Sequence, residues 1–108
     1  MRVDDILHVR TVLLQGTALV SLDGELDLAT APLVTRAVTR ILAERPDRLD
    51  VDVAGLAFCD VVGLRALSQA RRAARLHGAG FHLVGIHSRL HRILALLHAT
   101  DVLPPAPV

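Results

Sequence analysis

The spacing of apolar residues along this chain switches repeatedly between two periods, and the order of the switches constrains the fold more than any other feature. Leu33, Val34, Ala37, Val38, Ile41 and Leu42 recur at the interval of one helix face. Leu49, Asp50, Val51, Asp52 and Val53 then alternate apolar with acidic, the two-residue period of a strand with one face toward water. Helical spacing returns at Leu64, Leu67, Ala70 and Ala74, a short strand follows at Phe81 to Val84, and a third helical stripe runs through Leu90, Ile93, Leu94 and Leu97. Strands alternating with helices predict parallel strand pairs joined by right-handed crossovers. Ahead of them lie two strand-like runs, Ile6 to Leu14 and Ala18 to Leu22, with Gln15-Gly16-Thr17 between. That pattern predicts an antiparallel hairpin. The predicted order is β-β-α-β-α-β-α, with Val102-Leu103 as a candidate last strand. It describes one α/β domain over residues 1–108, with a mixed sheet of four to five strands, an N-terminal hairpin and three helices.

Local signals set the expected boundaries. Asp23-Gly24-Glu25 ends the second strand. Thr30 is placed as N-cap of the first helix, with Pro32 in its first turn, and Glu44-Arg45-Pro46-Asp47 ends it. A loop is expected at Ala54-Gly55-Leu56, followed by Phe58 and Cys59 as core residues. Asp60 caps a second helix from Val61 to about His77, with Gly78 and Gly80 at its exit. Ser88 is expected to cap the third helix, with His98 in its last turn, and residues 104–108 form an extended proline-rich tail.

Composition then removes whole classes of function. A length of 108 residues suits one domain, and 52% apolar residues can bury enough surface to offset ordering entropy. A net charge of +1 is a poor footprint for nucleic acid, so none is expected as a partner. All twelve basic residues are arginine, so Schiff-base and P-loop lysine chemistry is absent. Cys59 is the single cysteine, which excludes an intramolecular disulfide and a multi-cysteine metal site. The longest apolar run, Val53 to Cys59, falls far short of the ~18–20 residues that span a bilayer. Met1 to Asp5 carries no signal-peptide pattern. The expectation is a soluble cytoplasmic protein with no direct membrane insertion.

Individual candidates divide between chemistry and plainer structural roles. Asp27 and Thr30 lie between a strand and a helix, where side-chain oxygens bond turn N–H groups. Asp60 stands at a strand-to-helix junction, where orphan N–H groups favour anions. A receiver-type phospho-acceptor needs an acidic pair after the first strand and a later lysine. This chain has Asp4-Asp5 before that strand and no lysine, so Asp60 reads as a cap. His87 and His91, four apart, have the spacing of a zinc half-site, but no third ligand accompanies them and no metal is expected. Cys59 lacks a cationic neighbour and reads as a small buried hydrophobe. Neither Ser68 nor Ser88 lies in a nucleophile elbow, and no glycine-rich nucleotide motif is present. These readings point away from an enzyme and call for no cofactor.

Two segments carry a family resemblance. Asp23-Gly24-Glu25-Leu26-Asp27-Leu28-Ala29-Thr30-Ala31-Pro32, and Asp52 through Asp60-Val61-Val62-Gly63-Leu64-Arg65-Ala66-Leu67, together resemble the STAS domain of anti-sigma-factor antagonists. Leu94 to Pro104 is similar to that family's third helix and the short element after it. The resemblance implies a module that binds an anti-sigma factor, a small serine kinase with an ATP-binding fold, and so frees a sigma factor. The family's regulated serine lies in a D-S-[ST]-G-L motif at the start of the second helix, where the second hydroxyl residue takes the phosphate. Here Asp60, Gly63 and Leu64 match, but the hydroxyl positions hold Val61 and Val62. The implied module is not switched by phosphorylation at that site. The contact surface implied by the resemblance comprises Asp27, Thr30, Asp60, Val61, Val62, Gly63, Leu64 and Arg65, extended by Arg72 one heptad after Arg65. A different implied role is an accessory subunit of a membrane transport complex, because STAS modules also resemble cytoplasmic parts of transporters.

Overall fold

The computed structural model describes residues 2–97. A four-residue helix, α1 (Val3–Ile6), leads into β1 (Leu7–Leu14) and β2 (Thr17–Leu26). Then follow α2 (Ala31–Leu42), β3 (Arg48–Cys59), α3 (Val61–Leu76), β4 (Gly80–Val84) and α4 (Ser88–Leu96). The sheet order is β1-β2-β3-β4, with β1 antiparallel to β2 and the remaining pairs parallel. The predicted mixed sheet and hairpin are present. The helix count differs from expectation: α1 precedes the three predicted helices. It is too short to show a helical stripe, and it closes on an Asp5 carboxylate that accepts from the Arg2 N–H at 3.3 Å. The candidate strand Val102-Leu103, His98 and the tail at 104–108 lie outside the described residues.

The hairpin forms through a two-residue turn, tighter than the three-residue connection expected. Gln15 and Gly16 both have positive φ, and Leu14 pairs with Thr17. Two successive positive-φ residues match the right-handed twist of paired strands. Ala18, Val20 and Leu22 from β2, with Leu49, Val51 and Val53 from β3, turn one sheet face inward. Val34, Val38 and Leu42 of α2 and Leu67, Ala70 and Ala74 of α3 cover that face. Leu90 and Leu94 of α4 close the same core and are fully buried. Each such leucine contributes roughly 1.5–3 kcal/mol relative to exposure. The opposite sheet face is mixed, with Val12 across from Leu19 and an exposed Leu14 at the hairpin end and charged pairs elsewhere. Arg48 pairs with Asp50 at 2.7 Å, His82 lies 3.5 Å from the same carboxylate, and Arg10 meets Asp23 at 3.4 Å.

The strand ends depart from expectation in one respect that shapes the site. β2 does not stop at Asp23-Gly24-Glu25 but runs to Leu26, and β3 runs through the expected loop at Ala54-Gly55-Leu56 to Cys59. Two register shifts each let β3 gain one residue on β2, between Ser21 and Asp23 and between Gly24 and Glu25. Buried positions in β3 therefore change from every second residue to Val53, Leu56 and Cys59. Bulges bend and twist a strand while keeping it paired. Phe58, expected in the core, is turned outward by this change and is 44% exposed. Gly24 is required at the shift. Its φ is +120°, and a side chain there would strike the Ile6 carbonyl where β1 begins.

Candidate partner-binding surface at the start of α3

β2 and β3 end side by side, with Leu26 paired to Cys59. The Asp60 N–H donates to the Leu26 carbonyl at 3.1 Å, so the two strand ends stay joined as the chain turns into α3. Asp60 is extended, with φ −94° and ψ −174°, and its Oδ1 accepts from the Gly63 N–H at 2.7 Å. This is the N-cap geometry expected of it, and it satisfies one orphan donor of the helix. The first N–H groups, of Val61 and Val62, have no acceptor within the helix. Gly63 sits directly on Leu26: a Cβ there would lie 2.6 Å from the Leu26 carbonyl oxygen and 2.7 Å from its Cγ. The glycine lets α3 start in close contact with the end of β2. Leu64 is buried beside it and anchors the first turn.

The segment after β2 is held by its own side chains. Asp27 Oδ1 accepts from the N–H groups of Ala29 and Thr30, at 3.0 and 3.1 Å. The Thr30 hydroxyl accepts from the Asp27 N–H at 2.8 Å and donates to the Glu25 carbonyl at 2.9 Å. Thr30 stands at the N-cap position of α2, yet its side chain makes no cap bond and turns back into the loop, where it is fully buried. Thr30 and Asp27 thus shape the loop, and Gly63 and Leu64 seat the helix against it. The outward groups are others. Val61 is 50% exposed, Leu28 is 71% exposed, and Arg65 is exposed on the next turn of α3. Phe58 adds its exposed ring at the same sheet end, and Val62 is partly buried. The structure therefore brings the 27–30 loop and residues 60–65 together. It adds Leu28, and Phe58, which the sequence pattern had placed in the core. Leu28 was legible as an apolar residue inside a turn-forming segment. Phe58 was not, because its direction depends on the bulges in β3.

The other candidates resolve into structural roles. Cys59 is buried, and burial, reinforced by the Asp60 charge, pushes its thiol up to about 12. It is the small core residue expected, far from thiolate chemistry at neutral pH. His87, and not Ser88, caps α4: its Nδ1 accepts from the Leu90 N–H at 3.2 Å. Its Nε2 lies 2.8 Å from the Leu56 carbonyl, which can only accept, so Nε2 carries the proton. With both ring nitrogens engaged, His87 ties α4 to β3 and offers nothing to a metal shared with His91.

The fold is that of a STAS domain. The sequence profile of that domain matches residues 8–107, and the chain belongs to the STAS family. Among relatives, 53 residues are 36% identical to the anti-sigma-F factor antagonist RsfB of Mycobacterium tuberculosis. That match covers 49% of this chain and 43% of RsfB, so the chain aligns with less than half the length of this relative. The crystal structure of an anti-sigma factor antagonist from Mycobacterium paratuberculosis superposes with a TM-score of 0.79 at 26% identity, covering 96% of this chain and 88% of that one. A sulfate transporter family protein from Wolinella succinogenes shares the fold, with a TM-score of 0.70 at 19% identity over 83% of this chain and 73% of that one.

Proposed function

We propose that this domain is an anti-sigma-factor antagonist that binds a serine-kinase-type anti-sigma factor and releases a sigma factor, acting as a binding module and not as an enzyme. The reading rests on one observation above the rest: Asp60 caps α3 as the family motif requires, while an exposed Val61 and a partly buried Val62 occupy the hydroxyl positions. A phosphate here would bring roughly −1.5 to −2 charge beside the Asp60 carboxylate. Valine brings none, and with Leu28 and Phe58 it leaves an apolar surface suited to a dry protein contact. The domain therefore holds its partner irrespective of ATP. Asp27, Thr30, Gly63 and Leu64 set the surface, and Val61, Val62, Asp60 and Arg65 meet the partner.

The fold shared with a sulfate transporter family protein supports a second reading, an accessory subunit of a membrane transport complex. The two are separated by titrating the chain with the recombinant serine-kinase-type anti-sigma factor of its organism in a calorimeter. Saturable binding of equal strength with and without ATP is expected. Absence of binding to that protein, together with recovery of a permease or transport ATPase in a tagged pull-down, overturns the antagonist reading.

A further inference from the structure

We propose that the groove between α2 and α3 receives an acidic amphipathic helix of the anti-sigma factor, an inference that rests on the antagonist reading and names what the partner must present. The groove encloses about 740 Å³ and is continuous with the surface above through Leu28 and Val62. Ala31, Val62 and Ala66 make an apolar floor, and Arg36, Arg40 and Arg65 stand along it from both helices. Small residues on the floor let another backbone come close, and the volume accepts several apolar side chains in a row.

Charge chooses the occupant. α2, α3 and α4 carry eight of the twelve arginines and no carboxylate. The described acidic residues lie in α1, the strands and the loops, and the ion pairs formed among described residues use Arg2, Arg10, Arg48 and His82. Arg36, Arg40 and Arg65 thus border the groove without forming an ion pair among the described residues; Asp4 and Glu44 share a separate cavity with Arg36 and Arg40 beside β1. Arg36 and Arg40, four apart on one helix, also repel each other. A second copy of this chain laid helix to helix cannot relieve them, because its three long helices carry no acid. Nucleic acid fits poorly: the floor is recessed and apolar, and no aromatic side chain lies there for a base to stack on. A lipid surface is too flat to reach the floor. A helix with an apolar stripe flanked by Glu or Asp satisfies floor and rim at once.

The test titrates the recombinant anti-sigma factor against the wild-type chain, Arg36→Gln/Arg40→Gln and Arg36→Lys/Arg40→Lys, with circular dichroism confirming the fold of each. The Gln pair is expected to weaken binding about 10-fold or more and to flatten its salt dependence, because charge pairs set both. The Lys pair is expected to retain most of the affinity. Unchanged affinity in the Gln pair overturns the groove assignment while leaving the antagonist reading intact. If the wild type binds no anti-sigma factor, the antagonist reading fails, and the groove is judged on a labelled synthetic helix with a leucine stripe flanked by glutamates. Saturable binding of that peptide, lost in the Gln pair, supports the groove. No peptide binding, or binding instead to phosphatidylserine-containing vesicles or duplex DNA through the same arginines, overturns it.

Discussion

Replacing Gly63 with alanine tests how α3 is seated. The added methyl would lie 2.6 Å from the Leu26 carbonyl oxygen and 2.7 Å from its Cγ, where ordinary contact begins near 3.4 Å. Leu26 is fully buried and its carbonyl accepts the Asp60 N–H, so neither atom can yield without disturbing the joined strand ends. The first turn of α3 must instead lift away, pulling on the bond between Asp60 and Gly63. Overpacking of this kind costs about 1–3 kcal/mol. Alanine's better helix propensity returns up to about 1 kcal/mol, less in a first turn. The net expected loss is about 1–2 kcal/mol, which lowers Tm by roughly 5–15 °C in a domain of this size. Thermal unfolding followed by circular dichroism measures it. Gly80→Ala is the control, because a Cβ there comes no closer than 3.9 Å to any neighbour. A Gly63→Ala protein that melts within a degree of wild type, or above it, refutes the seating argument.

Asp60→Ala removes the α3 cap and is expected to cost about 1 kcal/mol by chemical denaturation, with Asp60→Asn closer to wild type. His87→Ala leaves the Leu56 carbonyl and the Leu90 N–H without their side-chain partner and is expected to cost about 1–2 kcal/mol, with amide exchange in α4 speeding up more than in α3. Stability is expected to hold up to about pH 9 and to fall toward pH 12, because the folded Cys59 thiol is raised above its unfolded value of 9.0 and ionises first in the unfolded chain. With no lysine or tyrosine present, no other side chain titrates in that window, and Cys59→Ala is expected to flatten the decline.

The sequence reading and the structure agree where one physical signal dominates. The α2 stripe, the alternation at Leu49 to Val53 and the Asp60 cap each follow from a single period or a single hydrogen bond, and all appear in the structure. They part where a tertiary contact overrides the local pattern. Two bulges carry β3 through a segment that looks like a loop, and they turn Phe58 outward. Thr30 has the residue type of a cap but finds better partners in Asp27 and Glu25. His87 displaces Ser88 because its ring spans from α4 to a strand carbonyl, a contact that no local spacing reveals. The placement of residues 60–65 at the start of α3, the core of the candidate site, was legible from motif and cap. Its apolar rim needed the fold.

Val61 and Val62, at the start of α3, decide whether phosphate can release the partner. The most direct measurement is the intact mass of the chain, and of Val62→Ser, after incubation with the anti-sigma factor and ATP, with the complex followed in the same samples. The expected result is an unmodified wild-type chain still in complex, while Val62→Ser gains phosphate and dissociates. Phosphate on the wild-type chain at Ser68, Ser88 or any other hydroxyl, with loss of the complex, would contradict it.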